Sequence, residues 1–140
     1  MTSGLQKFSE LPYERPNLEK LEAAYKDLTK RFLAATTADE QNNVIRDWNT
    51  LRTIYMTNFS IAHVRFTLNV KDDWALAERA FSDENSPTIA EWSQNFVKTI
   101  LASRFLKEIE KEWGALFISN LEQGIKTFSN EIKPMLIQQS

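Results

Sequence analysis

Residues 37–69 read TADEQNNVIRDWNTLRTIYMTNFSIAHVRFTLN, and the rest of the chain has to be built around them. Val44, Trp48, Leu51, Tyr55, Phe59, Ala62 and Phe66 recur in steps of three and four, which keeps them on one side of an α-helix. Ile54, Ile61 and Leu68 recur every seven residues on a different face. The C-terminal half of this helix is therefore apolar on more than one side and needs several partners to cover it. At 1.5 Å per residue the helix spans roughly 45 Å, well beyond the usual dozen or so residues of a globular helix. Its main stripe repeats after eleven residues, a period that favours a straight or slightly right-handed course over a left-handed supercoil. Thr37-Ala38-Asp39-Glu40 has the form of a capping box and marks where it starts.

Upstream, Leu18, Leu21, Tyr25, Leu28 and Phe32 carry the same helical spacing, with Asn17 as N-cap after Pro16 and an end near Ala35. So short a connection to Thr37 predicts an antiparallel helical hairpin. Residues 1–16 hold two prolines and the apolar Phe8, Leu11 and Tyr13 without periodicity, the pattern of an extended strap. One reading docks Phe8, Leu11 and Tyr13 on the helices; a sharper one makes Tyr13 and Arg15 a ligand surface.

Downstream of the long helix, Asp72 or Asp73 can cap a third helix from Trp74 to about residue 83, with Trp74, Leu76, Ala77, Ala80 and Phe81 as its apolar face. Ser86-Pro87 reads as the start of a fourth, because proline at the first helical position gives up an N–H that has no partner there. Ile89, Trp92 or Ser93, Phe96 and Ile100 mark its buried side. Ser103 is placed to cap a fifth helix packing through Phe105, Leu106, Ile109 and Trp113, which Gly114 stops. A sixth follows with Leu116, Phe117, Leu121, Ile125 and Phe128, in which Gly124 permits a close backbone approach or a local weakness. Ser129 to Lys133 reads as a turn or a new start, a further helix could begin at Pro134, and Met135, Leu136 and Ile137 need a surface to lie against. The expected fold is all-α, an elongated bundle of about five to six helices around one long helix, in a single domain over residues 1–140.

Composition narrows the function classes. Seventeen Lys and Arg against nineteen Asp and Glu give a formal charge of −2 with the signs interspersed, so no basic field for nucleic acid or anionic lipid arises. There is no cysteine and one histidine, which leaves neither a disulfide framework nor a thiolate metal site. No apolar run approaches the ~18 residues of a membrane span and no leader pattern opens the chain; a cytoplasmic protein is expected. His63, alone among Phe59, Ile61, Phe66 and Leu68, reads as a packing residue, since a zinc site needs three or four ligands. The carboxylate pairs Asp72/Asp73 and Asp83/Glu84 read as caps and solvated turns. No catalytic, cofactor-binding or metal residue is assigned.

The segment from Phe8 to Pro16 followed by Leu18-Glu19-Lys20-Leu21 resembles the opening of the oligoendopeptidase F branch of the thimet-oligopeptidase-like zinc metallopeptidases. Arg65-Phe66-Thr67-Leu68-Asn69, Asp83-Glu84-Asn85-Ser86-Pro87 and Lys126-Thr127-Phe128-Ser129 are similar, in order, to later segments of that family's N-terminal region. Asn69, where the family usually has an acid, and Phe66, where a polar residue is common, depart from the pattern. The resemblance implies a helical wall of a deep peptide channel. It also implies zinc held elsewhere, by an H-E-x-x-H helix and a later Glu that this chain lacks. Two classes follow: a noncatalytic N-terminal domain whose partner is a C-terminal catalytic domain, or a stand-alone helical module that binds short peptides or a partner helix in an apolar groove. A homodimer through exposed apolar surface is a further expectation.

Overall fold

The computed structural model describes residues 14–68 and 71–129. Its regular structure is five helices: α1 (Leu18–Ala34), α2 (Ala38–Leu68), α3 (Asp73–Leu101), α4 (Leu106–Trp113) and α5 (Ala115–Thr127). Strap residues Phe8, Leu11 and Tyr13, and Met135, Leu136 and Ile137 of the C-terminal stretch, lie outside the described residues.

Local signals in the sequence set the ends of α1 and α2. The Asn17 side chain accepts the Lys20 amide at 3.0 Å, so one otherwise unpaired amide of the first turn is satisfied. At α2, Thr37 Oγ1 accepts the Glu40 amide at 3.1 Å, while the Glu40 carboxylate reaches back to the Thr36 amide at 2.9 Å. The box therefore closes one residue further upstream than its usual form. The hairpin is antiparallel: Gln41 Nε2 donates to the Phe32 carbonyl at 3.2 Å and Arg31 meets Asp47 at 2.5 Å, whereas at the opposite end the Glu14 amide reaches Asn58 Oδ1 at 3.3 Å.

The helix expected to start at Pro87 does not start there. α3 runs unbroken through Pro87, so the two helices foreseen between residues 74 and 100 are one. Proline removes the amide that would bond the residue 83 carbonyl, and inside a helix it costs about 3 kcal/mol. Asp83 is exposed, so water can serve that carbonyl. Ser86, foreseen as a cap, instead shares hydroxyl hydrogen bonds with Tyr55 at 3.0 Å and Ser82 at 3.1 Å, and Asn85 Nδ2 donates to the Phe81 carbonyl at 2.9 Å. What outweighs the proline is burial on both sides of it: Ala75 and Glu78 before, Ile89, Phe96, Val97 and Ile100 after. Each fully buried Ile or Phe contributes roughly 1.5–3 kcal/mol. The apolar face foreseen for this region is also rotated. Leu76 is exposed, as are Ala77 and Ala80, while Ala75 and Glu78 are turned inward.

The core sits where α1, α2 and α3 meet, around Phe96. Its ring packs edge-on to Phe32 with centroids 5.8 Å apart and tilted against Trp48 at 5.4 Å. α4 and α5 close this end, α4 against α2 and α5 against α3. Buried Gln41 and Asn42 are paired here: the Ser103 hydroxyl donates to Gln41 Oε1, and Trp113 Nε1 donates to Asn42 Oδ1 at 3.2 Å, whereas Trp48 Nε1 and Gln94 Oε1 are buried with no hydrogen-bond partner among the described residues. Ser103 Oγ also accepts the Phe105 amide at 3.0 Å, serving the turn before α4 rather than the helix itself. Gly114 ends α4 and begins α5 with φ of 99° and ψ of 156°, a conformation open essentially to glycine alone. In α5 the buried side chains are Ile118 and Leu121, and Leu116 points outward.

Candidate functional site

α2 divides into two parts. All of its fully buried residues, Gln41, Asn42, Val44, Ile45 and Trp48, lie in its first eleven positions. Beyond them the expected cover is missing among the described residues: Ile54 is 57% exposed and Leu68 68%. The Glu14 amide, before α1 begins, meets Asn58 of α2, and α4 packs at the other end of α2, at Asn42 and Arg46. Among the described residues the distal half of α2 has the first half of α3 as its long neighbour, and the seam between them carries several of the molecule's ion pairs.

Arg15 anchors the chain entry on this seam. Its Nε donates to Glu78 Oε1 at 3.0 Å and Oε2 at 2.9 Å, Nη2 adds a further bond to Oε2, and the guanidinium lies 4.6 Å from the Phe81 ring centroid. Glu78 is only 5% exposed, and a carboxylate so buried requires such a partner. Arg15 is therefore committed to the fold through Glu78, which favours the docking reading of the strap over the ligand reading as far as residue 15 is concerned. Tyr13 lies outside the described residues. Further along, Arg65 Nε donates to Asp72 Oδ2 at 2.5 Å and stacks 4.2 Å from Trp74, while Asp72 Oδ1 accepts the Trp74 and Ala75 amides at 3.0 and 3.3 Å. The bond from Arg65, aided by those amides, holds the Asp72 carboxyl below its ordinary pKa, against the opposing effect of desolvation.

Two clefts flank the seam. One, of about 240 Å³, is bounded by Phe59, His63, Phe66, Glu78, Arg79 and Asp83. The other, of about 310 Å³, lies between the start of α1 and α2, with Leu21, Leu51, Ile54 and Tyr55 beneath and Arg15, Lys20 and Asn58 at its edge. His63 is exposed and stacks on Phe59, the ring planes 6° apart and the centroids at 6.2 Å. Asp73 is the exposed first residue of α3, Asp83 faces Arg79 at 3.8 Å, and Glu84 is exposed. The structure brings none of these together as a reactive pair, and among the described residues no cluster of three His, Cys, Asp or Glu could hold a metal ion. Apolar floors, hydroxyls and fixed guanidinium groups are the chemistry of binding. Glu78 was not singled out from the sequence, although it had a signal: an acid at the helical step between Ala75 and Ser82, on the line that leads to Ile89.

The family model for the Peptidase M3 N-terminal domain matches residues 8–128. The chain belongs to this family. Among solved structures it is similar to PZ peptidase A, described with an inhibitor, at 33% identity and a TM-score of 0.84 over 89% of this chain and 22% of that one. It is also similar to a protein assigned as an oligoendopeptidase F, at 30% identity and a TM-score of 0.82 over 88% of this chain and 22% of the other. A third likeness is to a protein from Bacillus anthracis str. Ames with the same assignment, at 28% identity and a TM-score of 0.84 over 91% of this chain and 23% of the other. No curated protein sequence matches. The chain thus spans less than a quarter of the length of these relatives, and as an M3 N-terminal domain it matches their helical N-terminal part. The zinc of this peptidase family finds no fitting donor set among the described residues, so no step through a metal is assigned to them. Among those residues no helix is long and apolar enough to cross a membrane.

Proposed function

We propose that this chain acts as the noncatalytic N-terminal helical lobe of a cytoplasmic, oligoendopeptidase F-like zinc metalloendopeptidase, forming one wall of the channel that admits its peptide substrates. The observation that carries the reading is the family match over residues 8–128, together with 33% identity to a peptidase of which the chain spans 22%. The geometry agrees with a wall. A single core fixes one end of three helices, and the long α2 and α3 project beyond it with apolar side chains uncovered. In this reading the H-E-x-x-H histidines, the general-base Glu and the zinc come from another part of the parent polypeptide, and the role of this chain is to bind and align peptide.

A direct test replaces the matching N-terminal region of PZ peptidase A with this chain and follows cleavage of an internally quenched peptide. The chimera is expected to cleave it in a chelator-sensitive manner, while the chain alone neither cleaves nor takes up stoichiometric zinc. Chelator-sensitive cleavage by the isolated chain, or a folded and inactive chimera, would overturn the assignment.

A further inference from the structure

One stripe of α2 changes its surroundings part-way along. Asn42, Arg46, Asn49, Thr53, Thr57, Ser60 and Val64 follow steps of four, three, four, four, three and four, a single helix face. α4 covers the beginning of that face: Trp113 bonds Asn42 at 3.2 Å, and Glu112 meets Arg46 at 2.8 Å. Past Arg46 no described helix continues the cover, and a shallow trough of about 610 Å³ runs along the face between Asn49 and Val64, its apolar part supplied by Met56, Ile61 and Val64.

Arg52 lies at the near edge of this trough. Its guanidinium is laid 4.4 Å from the Trp48 ring centroid and donates to Asn49 Oδ1 at 2.6 Å. No carboxylate among the described residues pairs with it. The other five arginines of the hairpin and the seam do have such partners: Arg15 has Glu78, Arg31 has Asp47, Arg46 has Glu112, Arg65 has Asp72 and Arg79 has Asp83. From Trp48 to Lys71 the sequence holds no Asp or Glu at all. A second copy of this chain laid face to face would therefore bring apolar side chains but no carboxylate to Arg52. A small ligand suits the place poorly as well, because the trough is lined by one helix, whereas ligand sites are concave and enclosed.

We propose that the Arg52–Val64 face of α2 is the docking surface for a helical segment of the remaining parent polypeptide, one that sets a carboxylate against Arg52 and apolar side chains against Met56, Ile61 and Val64. The inference rests on the reading of the chain as a peptidase lobe. The relatives extend over more than three-quarters of their length beyond the matched part, and that polypeptide must meet this lobe somewhere. The pre-positioned guanidinium makes the contact selective, since an arginine held over an indole loses little freedom when it meets a carboxylate.

Arg52→Glu and Ile61→Ser, made in the isolated chain and in the PZ peptidase A chimera, test this. In the isolated chain Ile61→Ser is expected to leave the melting temperature within about 2 °C, and Arg52→Glu, which also gives up the contact with Trp48, within about 4 °C. In the chimera each should lower it by at least about 4 °C beyond its effect in the isolated chain. Equal shifts in the two settings would overturn the docking surface while leaving the peptidase reading intact, and a folded, inactive chimera whose melting still responds selectively would do the reverse. A raised KM in the Arg52→Glu chimera with unchanged melting would reassign the face to a peptide terminus. Self-association of the isolated chain that Ile61→Ser abolishes would reassign it to a second copy. Should the chimera not fold, sedimentation of the chain mixed with the part of PZ peptidase A outside the matched region decides: binding weakened at least tenfold by Arg52→Glu supports the proposal, and absent or unaffected binding overturns it.

Discussion

Removing Arg15 gives the sharpest test of how the chain entry is fixed. Arg15→Ala leaves Glu78, 5% exposed on α3, without its bidentate partner. Breaking a fully buried ion pair from one side costs about 3–5 kcal/mol. The Arg15 side chain is itself 49% exposed, so water can enter where it stood, and the loss falls to about 1–3 kcal/mol, the range for a buried acceptor left unsatisfied. The contact with Phe81 adds roughly 0.5–1 kcal/mol. At about 2–4 °C per kcal/mol for a domain of this size, the melting point should drop by about 3–16 °C. Both residues make further contacts, so the measurement to make is a double-mutant cycle with Glu78→Gln, followed by circular dichroism at 222 nm in urea. The coupling should be about 1–3 kcal/mol and should persist in 1 M salt, because one partner is buried. Replacing the pair together by Met and Leu should restore most of the stability. A coupling below about 0.5 kcal/mol would place Arg15 with ordinary surface pairs and refute its role as an anchor.

Three further outcomes are expected. Because the Asp72 carboxyl is held below its ordinary pKa, its contribution is fully present above the unfolded value of about 3.9 and is lost as pH falls through the folded value; Asp72→Asn should flatten the acid limb of the stability profile below about pH 5, as read by urea midpoints. Phe96→Ala, at the centre of the aromatic cluster, should cost about 3–5 kcal/mol, whereas Leu33→Ala, at a position 70% exposed, should stay within about 0.5 kcal/mol. Gly114→Ala forces a side chain into a glycine-only conformation and should lose about 1–3 kcal/mol. Gly124→Ala should instead gain up to about 1 kcal/mol, because the added Cβ meets Gln94 at an ordinary 3.6 Å inside a helix; thermal melts of the two variants should move in opposite directions.

The hairpin was legible because its signals are local. Asn17, Thr37 and Glu40 act within four residues of where they stand, and Leu21, Tyr25, Leu28 and Phe32 keep one period throughout. Pro87 misled for the opposite reason. The serine and proline make a sound local start signal, and only the alignment of α3 with two other helices, settled by residues distant in sequence such as Tyr55, decides that the helix continues. The inward turn of Glu78 escaped notice for a related cause: an acid is read as a solvent-facing residue until its partner is known, and that partner lies 63 positions away in the strap. The cover expected on distal α2 is missing among the described residues, because a stripe in a sequence records that a face is apolar and not what it meets.

The same asymmetry separates what this domain needs for folding from what it presents. α1 has 17 residues and α2 has 31, so an antiparallel pair held together at the connection leaves α2 projecting past Asn58 with no turn of α1 beside it. A helix serving only the core could stop near there. Instead α2 continues for roughly three more turns, matched by the first half of α3 and tied to it through Arg65 and Asp72 and through Arg79 stacked on Phe66. These are polar and cation–aromatic contacts rather than deep burial, and they fix the projecting helices in direction while leaving their apolar side chains at the surface. Solvent alone gives no reason for such a face, since exposed contiguous apolar area promotes association. In the proposed reading, a rigid, half-covered pair of helices gives a channel wall what it requires: a stiff surface that another part of the enzyme can seat against and along which a peptide can pass.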